Sequence, residues 1–137
     1  MDQLHTAVEL PGVTAADALR AFTDTTMLND WWGGQLTFEP RPGGRYHVDF
    51  SQLGSSLTGH VVEYDPARRL VFTWQWDGTG HAYQVVVDAE EVEVGAMLHI
   101  THGPYTDSEQ DAQERESHEQ GWSHFLPRLA EQVRPRS

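Results

Sequence analysis

Glu63 and His102 are the two polar side chains whose strand phase would carry them toward an apolar interior, since Glu63 follows Val61 by two residues and His102 follows Ile100 by two. A carboxylate enclosed by apolar walls has its pKa raised, and an imidazole beside it exchanges protons near neutral pH, so the pair offers general acid/base chemistry. Both residues fall at strand ends, where the expectation is solvent contact or, for Glu63, an arginine partner. They are the catalytic candidates, and no recognised catalytic motif accompanies them.

The eight histidines invite a metal, but their spacing does not suit one. His99 and His102 are an odd number apart on a strand and point to opposite faces, while His118 and His124 diverge on a helix. Glu114 and His118 share a helix face at i and i+4, which gives two ligands without a third and reads as a solvated pair. No metal and no cofactor is expected. No serine lies in a Gly-x-Ser-x-Gly elbow, and the chain has no cysteine, which removes disulfides and thiolate chemistry. All nine basic residues are arginine, so Schiff-base catalysis and a P-loop are excluded together. The formal net charge of -12 would repel phosphate backbones and argues against nucleic acid as a partner.

The elements that must position these groups follow from periodicity. A chain of 137 residues is near the commonest domain size and reads as one domain, residues 1–137. A first strand covers Thr6 to Leu10 and is ended by Pro11-Gly12. Thr14 caps a short helix whose apolar face is Ala15, Ala18, Leu19 and Phe22. A second short helix from about Thr26 carries Leu28, Trp31 and Trp32 and stops at Gly33-Gly34. The period then changes from helical to alternating, the mark of half-buried antiparallel strands. Tyr46, Val48 and Phe50 share one side; Leu57, Gly59 and Val61 follow; Asp65 to Arg68 makes a turn. Leu70, Phe72, Trp74 and Trp76 form the strongest aromatic stripe. Asp77 to Gly80 turns into the strand of Tyr83, Val85 and Val87, and a last strand carries Leu98, Ile100 and His102. Gly43-Gly44, after Pro42 and before a strand, reads as a turn rather than a phosphate loop.

From Ser108, a capping residue, a long helix is predicted to about Val133. Its first half, Glu109 to Gln120, has only Ala112 as an apolar residue, whereas Trp122, Phe125, Leu126, Leu129 and Val133 form a packing stripe. The polar half is therefore expected to be weakly anchored and to serve as a gate. Gly121 leaves room beneath the helix, and Pro127 removes one helical hydrogen bond.

This order of elements resembles the START-like (SRPBCC) helix-grip superfamily and, within it, the heat-shock protein 90 ATPase activator homologue family. The matching segments are Ala21 to Asp24 with Trp31-Trp32-Gly33, Gly43 to Tyr46, Gly59 to Pro66, Arg69 to Trp74, Leu98 to His102, and His118 to Trp122. The resemblance implies an α+β helix-grip fold: a curved antiparallel sheet of six or seven strands around a long C-terminal helix, with two short helices after the first strand and a cavity between. Members of the family bind hydrophobic small molecules, act as cyclases on polyketide-like substrates, or touch chaperones. The cochaperone that names the family carries a separate N-terminal domain for which this chain leaves no room, so stimulation of a chaperone ATPase is not expected.

The expected ligand lining is Trp32, Tyr46, Val48, Phe50, Val61, Phe72, Trp74, Ile100, Gly121, Trp122 and Phe125, because aromatic walls suit flat apolar ligands. Binding of a hydrophobic small molecule is the leading expectation, with a polyketide-cyclase-type enzyme and a chaperone-interacting module as alternatives, and homodimerisation through a sheet edge or helix left open. No membrane-spanning run is present and the N-terminus lacks the features of a secretory signal, so a cytoplasmic location is expected.

Overall fold

A computed structural model describes residues 2–50, 54–76 and 82–133. The expected turn at Asp77 to Gly80 lies outside them. Seven strands, β1 (Asp2–Pro11), β2 (Gln35–Phe38), β3 (Arg45–Phe50), β4 (Ser55–Asp65), β5 (Arg69–Trp76), β6 (Tyr83–Val92) and β7 (Gly95–Tyr105), form one antiparallel sheet in the order β1-β7-β6-β5-β4-β3-β2. Helices α1 (Ala15–Leu19) and α2 (Thr25–Trp32) follow β1, and α3 (Glu109–Gln132) ends the chain, resting on β1, β7 and α2. The architecture is the α+β arrangement expected.

Local chemistry explains the boundaries. Thr14 Oγ1 accepts from the Asp17 amide at 3.1 Å, Asp24 Oδ1 from Met27 at 3.0 Å, and Ser108 Oγ from Asp111 at 3.1 Å, so each helix starts on a side-chain cap. Gly33 closes α2 in the left-handed conformation, φ 81°. The Asp65 carbonyl accepts from Arg68 at 3.0 Å, closing the turn between β4 and β5. β2 is the strand that periodicity missed. With four residues, of which only Leu36 is buried, it is too short to display alternation. α3 continues through Gly121 and Pro127 as one helix.

Alternation along β3 to β7 sends one residue in two to the face under α3. Tyr46, Val48, Leu57, Val61, Leu70, Phe72, Val85, Val87, Leu98 and Ile100 are all fully buried there. Gly59 is required in this layer, because a Cβ at that position would overlap the Thr73 carbonyl. The two short helices and the turn between them close one end of the core with Phe22 of the turn and Leu28 and Trp31 of α2; the Trp31 indole Nε1 donates to the Ala21 carbonyl at 2.7 Å.

Candidate functional site

Beneath the middle of α3 lies a cavity of about 160 Å³. Trp32 of α2, Phe50 of β3 and Trp74 and Trp76 of β5 form its floor, and Ser117, His118, Gly121, Trp122 and Phe125 of α3 form its roof. Three tryptophans pack around one point, with ring centroids 5.5 Å apart for Trp32 and Trp74, 5.8 Å for Trp32 and Trp122, and 5.9 Å for Trp74 and Trp122. These rings are large, rigid and mutually braced, so the walls are held apart by packing. A Cβ at Gly121 would meet no heavy atom within 4 Å, in keeping with space under the helix at this residue.

Six of the eleven expected lining residues surround this cavity: Trp32, Phe50, Trp74, Gly121, Trp122 and Phe125. Tyr46, Val48, Val61, Phe72 and Ile100 lie deeper, in the packed core. Tyr46 is committed to structure, its ring stacked on Phe72 at 4.0 Å and its hydroxyl donating to the Phe22 carbonyl at 2.7 Å. Burial holds that hydroxyl well above its ordinary pKa of 10.0. Trp76, Ser117 and His118 were not anticipated in the lining. Their spacing carried the signal: Trp76 follows Trp74 by two on a strand, and Ser117 and His118 precede Gly121 by four and three on a helix.

Glu63 is not where strand phase puts it. The register slips between Val61 and Glu63, so that Val61 faces Phe72 but Glu63 faces Val71. This bulge turns Glu63 to the outer face, where it is exposed and pairs with Arg69 at 3.2 Å. Arg69 also donates to Asp88 at 2.8 Å. The expected arginine partner is present, and the inward position is not.

His102 departs in the opposite direction. β7 runs three residues beyond it, to Tyr105, so His102 sits inside the sheet with 0% exposure. Its Nδ1 accepts from Trp122 Nε1 at 3.1 Å, and its ring stacks on His118 at 4.0 Å with 10° between planes. His118 in turn places Nδ1 2.7 Å from the Tyr105 hydroxyl. The solvated Glu114–His118 pair expected from spacing is thus half correct: Glu114 is partly exposed, but the His118 side chain is buried, with 3.6 Å between His118 Nε2 and the carboxylate. Burial lowers the pKa of both imidazoles, of His102 well below 6.5 and of His118 to about 4. Burial raises the hydroxyls of Tyr83 and Tyr105 above their ordinary value, and Tyr83 is pushed further by its bond to Asp111. Among the described residues no group of three or more His, Cys, Asp or Glu side chains is arranged to hold a metal.

The first half of α3 is anchored, contrary to its apolar poverty. Asp111 is buried and accepts three hydrogen bonds of 2.7 Å, from the Tyr83 hydroxyl and from the Thr106 amide and hydroxyl. With the His118–Tyr105 contact, these polar bonds do for Glu109 to Gln120 what Trp122 to Val133 do by apolar packing. The ground for a gate in this half is removed.

An open antiparallel sheet folded against one long C-terminal helix, with two short helices inserted after the first strand, defines a START-like helix-grip domain. Residues 13–134 match the family described as Activator of Hsp90 ATPase homolog 1-like protein, and the chain belongs to that family. Solved structures show the same fold. Protein MLL2253 from Mesorhizobium loti superposes with a TM-score of 0.84 at 16% identity, covering 96% of each chain. Protein CV1439 from Chromobacterium violaceum gives 0.80 at 24% identity, over 99% of this chain and 100% of that one. DynU16, a putative protein of the dynemicin biosynthetic locus, gives 0.82 at 24% identity over 96% of this chain, which spans 46% of the DynU16 chain. No curated protein matches the chain. No helix among the described residues is long and apolar enough to cross a membrane.

Proposed function

We propose that this domain binds a small apolar molecule, of the size of one aromatic ring, between the sheet and α3. The observation that carries the reading is the cavity of about 160 Å³ with tryptophan walls under Gly121. A dry apolar cavity of about 150 Å³ is enough to take up benzene, whereas drug-sized ligands occupy about 300–1,000 Å³. The volume therefore favours a single ring over a multi-ring polyketide. Location of a relative in a biosynthetic locus is compatible with either ligand.

An enzyme of polyketide-cyclase type is the second reading, supported by the His102–His118–Tyr105 cluster, of which His118 lines the cavity. A general base works best with a pKa near the working pH. His118, lowered to about 4, is a weak base, which places recognition ahead of catalysis. A chaperone-docking role draws no support from exposed apolar area: Val62 and Val94 are the exposed large hydrophobic residues among those described, and they stand on different strands or turns.

Titration with toluene, followed by tryptophan emission, tests the binding reading. Saturable change is expected, and Gly121→Leu, which puts a side chain into the space under α3, is expected to abolish it while the variant stays folded by circular dichroism. Absence of any saturable response in the parent protein would remove the proposal.

A further inference from the structure

Against the cavity under α3 lies a second recess of about 380 Å³, and the two share Trp32, Phe50 and Phe125 in their walls. The inner space is walled by tryptophan. The outer one adds Asn29 of α2 and His124 and Arg128 of α3, all three exposed. The shared rings thus stand between an apolar chamber and a polar mouth. A site of that profile suits a molecule that is apolar at one end and polar at the other.

Arg128 gives the mouth its sign. Its guanidinium carbon stands 5.9 Å from the centroid of Phe125, a ring common to both spaces, so cation–π attraction favours holding the charge beside the boundary. Arg128 forms no ion pair among the described residues, and none of the described residues lining this recess carries a carboxylate. In a chain with 21 acidic residues against nine basic ones, such a surface departs from its surroundings. Arg115 makes the contrast. It borders another recess, between β1 and α3, but Glu119 lines that recess too and accepts from the Arg115 guanidinium at 3.1 Å. There the counter-charge is built in, whereas at Arg128 it is left to come from outside.

We infer that the ligand is an arylalkanoate, whose ring fills the tryptophan-walled cavity and whose carboxylate, carried on a short methylene spacer past Phe125, pairs with Arg128. This inference rests on the binding reading above. A guanidinium offers parallel N–H donors that match the two oxygens of a carboxylate, and Asn29 and His124 add N–H donors at the same recess. A phosphate monoester, with nearly two charges at neutral pH, would find one fixed cation in a chain of net charge -12. A carboxylate is matched by one. A carboxyl placed directly on the ring, as in benzoate, would carry its charge in among the tryptophans, where desolvation opposes it.

The probes are 4-phenylbutanoate and 4-phenylbutanamide, which have nearly the same shape and differ in charge, with benzoate and toluene beside them. Each is titrated by calorimetry into the full chain and into Arg128→Gln, an exposed substitution whose fold is checked by circular dichroism. An exposed ion pair contributes modestly, so the acid is expected to bind about threefold more tightly than the amide and to lose that preference in the variant. Benzoate is expected to bind more weakly than 4-phenylbutanoate. The amide binding as tightly as the acid, a preference that persists in Arg128→Gln, or benzoate matching 4-phenylbutanoate would each overturn the inference. If toluene binds and neither phenylbutanoate nor its amide does, the inference falls and the binding reading stands. If toluene also fails to bind, the two fall together.

Discussion

Lowering the pH should destabilise this protein through its stacked histidines. His118 has an ordinary pKa of 6.5 and a folded value of about 4. Between those values the unfolded chain binds the proton and the folded chain does not, so stability is intact above pH 6.5 and is lost as pH falls toward 4. For a single site with those two constants, the loss from pH 8 to 5.5 is about 1.4 kcal/mol, rising to about 3 kcal/mol at pH 4. His102, also lowered, acts with the same sign. Opposing this, a chain of net charge -12 is relieved of self-repulsion on acidification. Urea unfolding from pH 8 to 5.5 should therefore be run on the parent and on His118→Gln, whose replacement does not titrate. The charge effect is common to both, and the parent is expected to lose about 1–1.5 kcal/mol more than the variant. Parallel stability curves would refute the buried, neutral state of His118.

Four further outcomes follow from the geometry. Asp111→Ala removes the carboxylate that accepts from the Tyr83 hydroxyl and from the Thr106 amide and hydroxyl. It should cost about 2–4 kcal/mol in urea unfolding, with hydrogen-exchange protection lost first in residues 109–120. Gly121→Ala meets open space and should raise stability by about 1 kcal/mol through helix propensity, read as an increased thermal midpoint. Gly59→Ala, by contrast, drives a methyl into the Thr73 carbonyl and should destabilise by about 1–3 kcal/mol on the same measurement. Glu63→Gln alters an exposed ion pair and should leave stability within about 0.5 kcal/mol and toluene titration unchanged.

Much of the architecture was legible because it rests on local rules. The caps at Thr14 and Ser108, the stop at Gly33 and the alternation through Tyr46, Phe72 and Val85 each obey short-range chemistry, and each stands where periodicity places it. The site was legible only in part. A bulge of one residue at Val62 reverses the face assignments in the rest of β4, which is why Glu63 was misplaced. The burial of His102 depended on β7 continuing through His102-Gly103-Pro104-Tyr105, a stretch whose glycine and proline read as a strand end. The anchoring of α3 was invisible for a different reason. Apolar counting finds hydrophobic contacts, and Asp111 is held by partners from β6 and the β7–α3 junction that are 28 and 5 residues away.

The sheet order has a consequence for how the chain reaches this state. β2 to β7 form a meander, each strand pairing with the one made just before it, but β1 pairs only with β7. His5 meets Thr101 across 96 residues. Closing such a loop costs about 2–3 kcal/mol more than closing a five-residue hairpin. During synthesis the first strand must wait, its Leu4 and Leu10 without their β7 neighbours, until β7 has emerged. Docking of β1 closes the longest loop of the sheet, and a bulky fusion at the N-terminus should slow refolding more than the same fusion at the C-terminus.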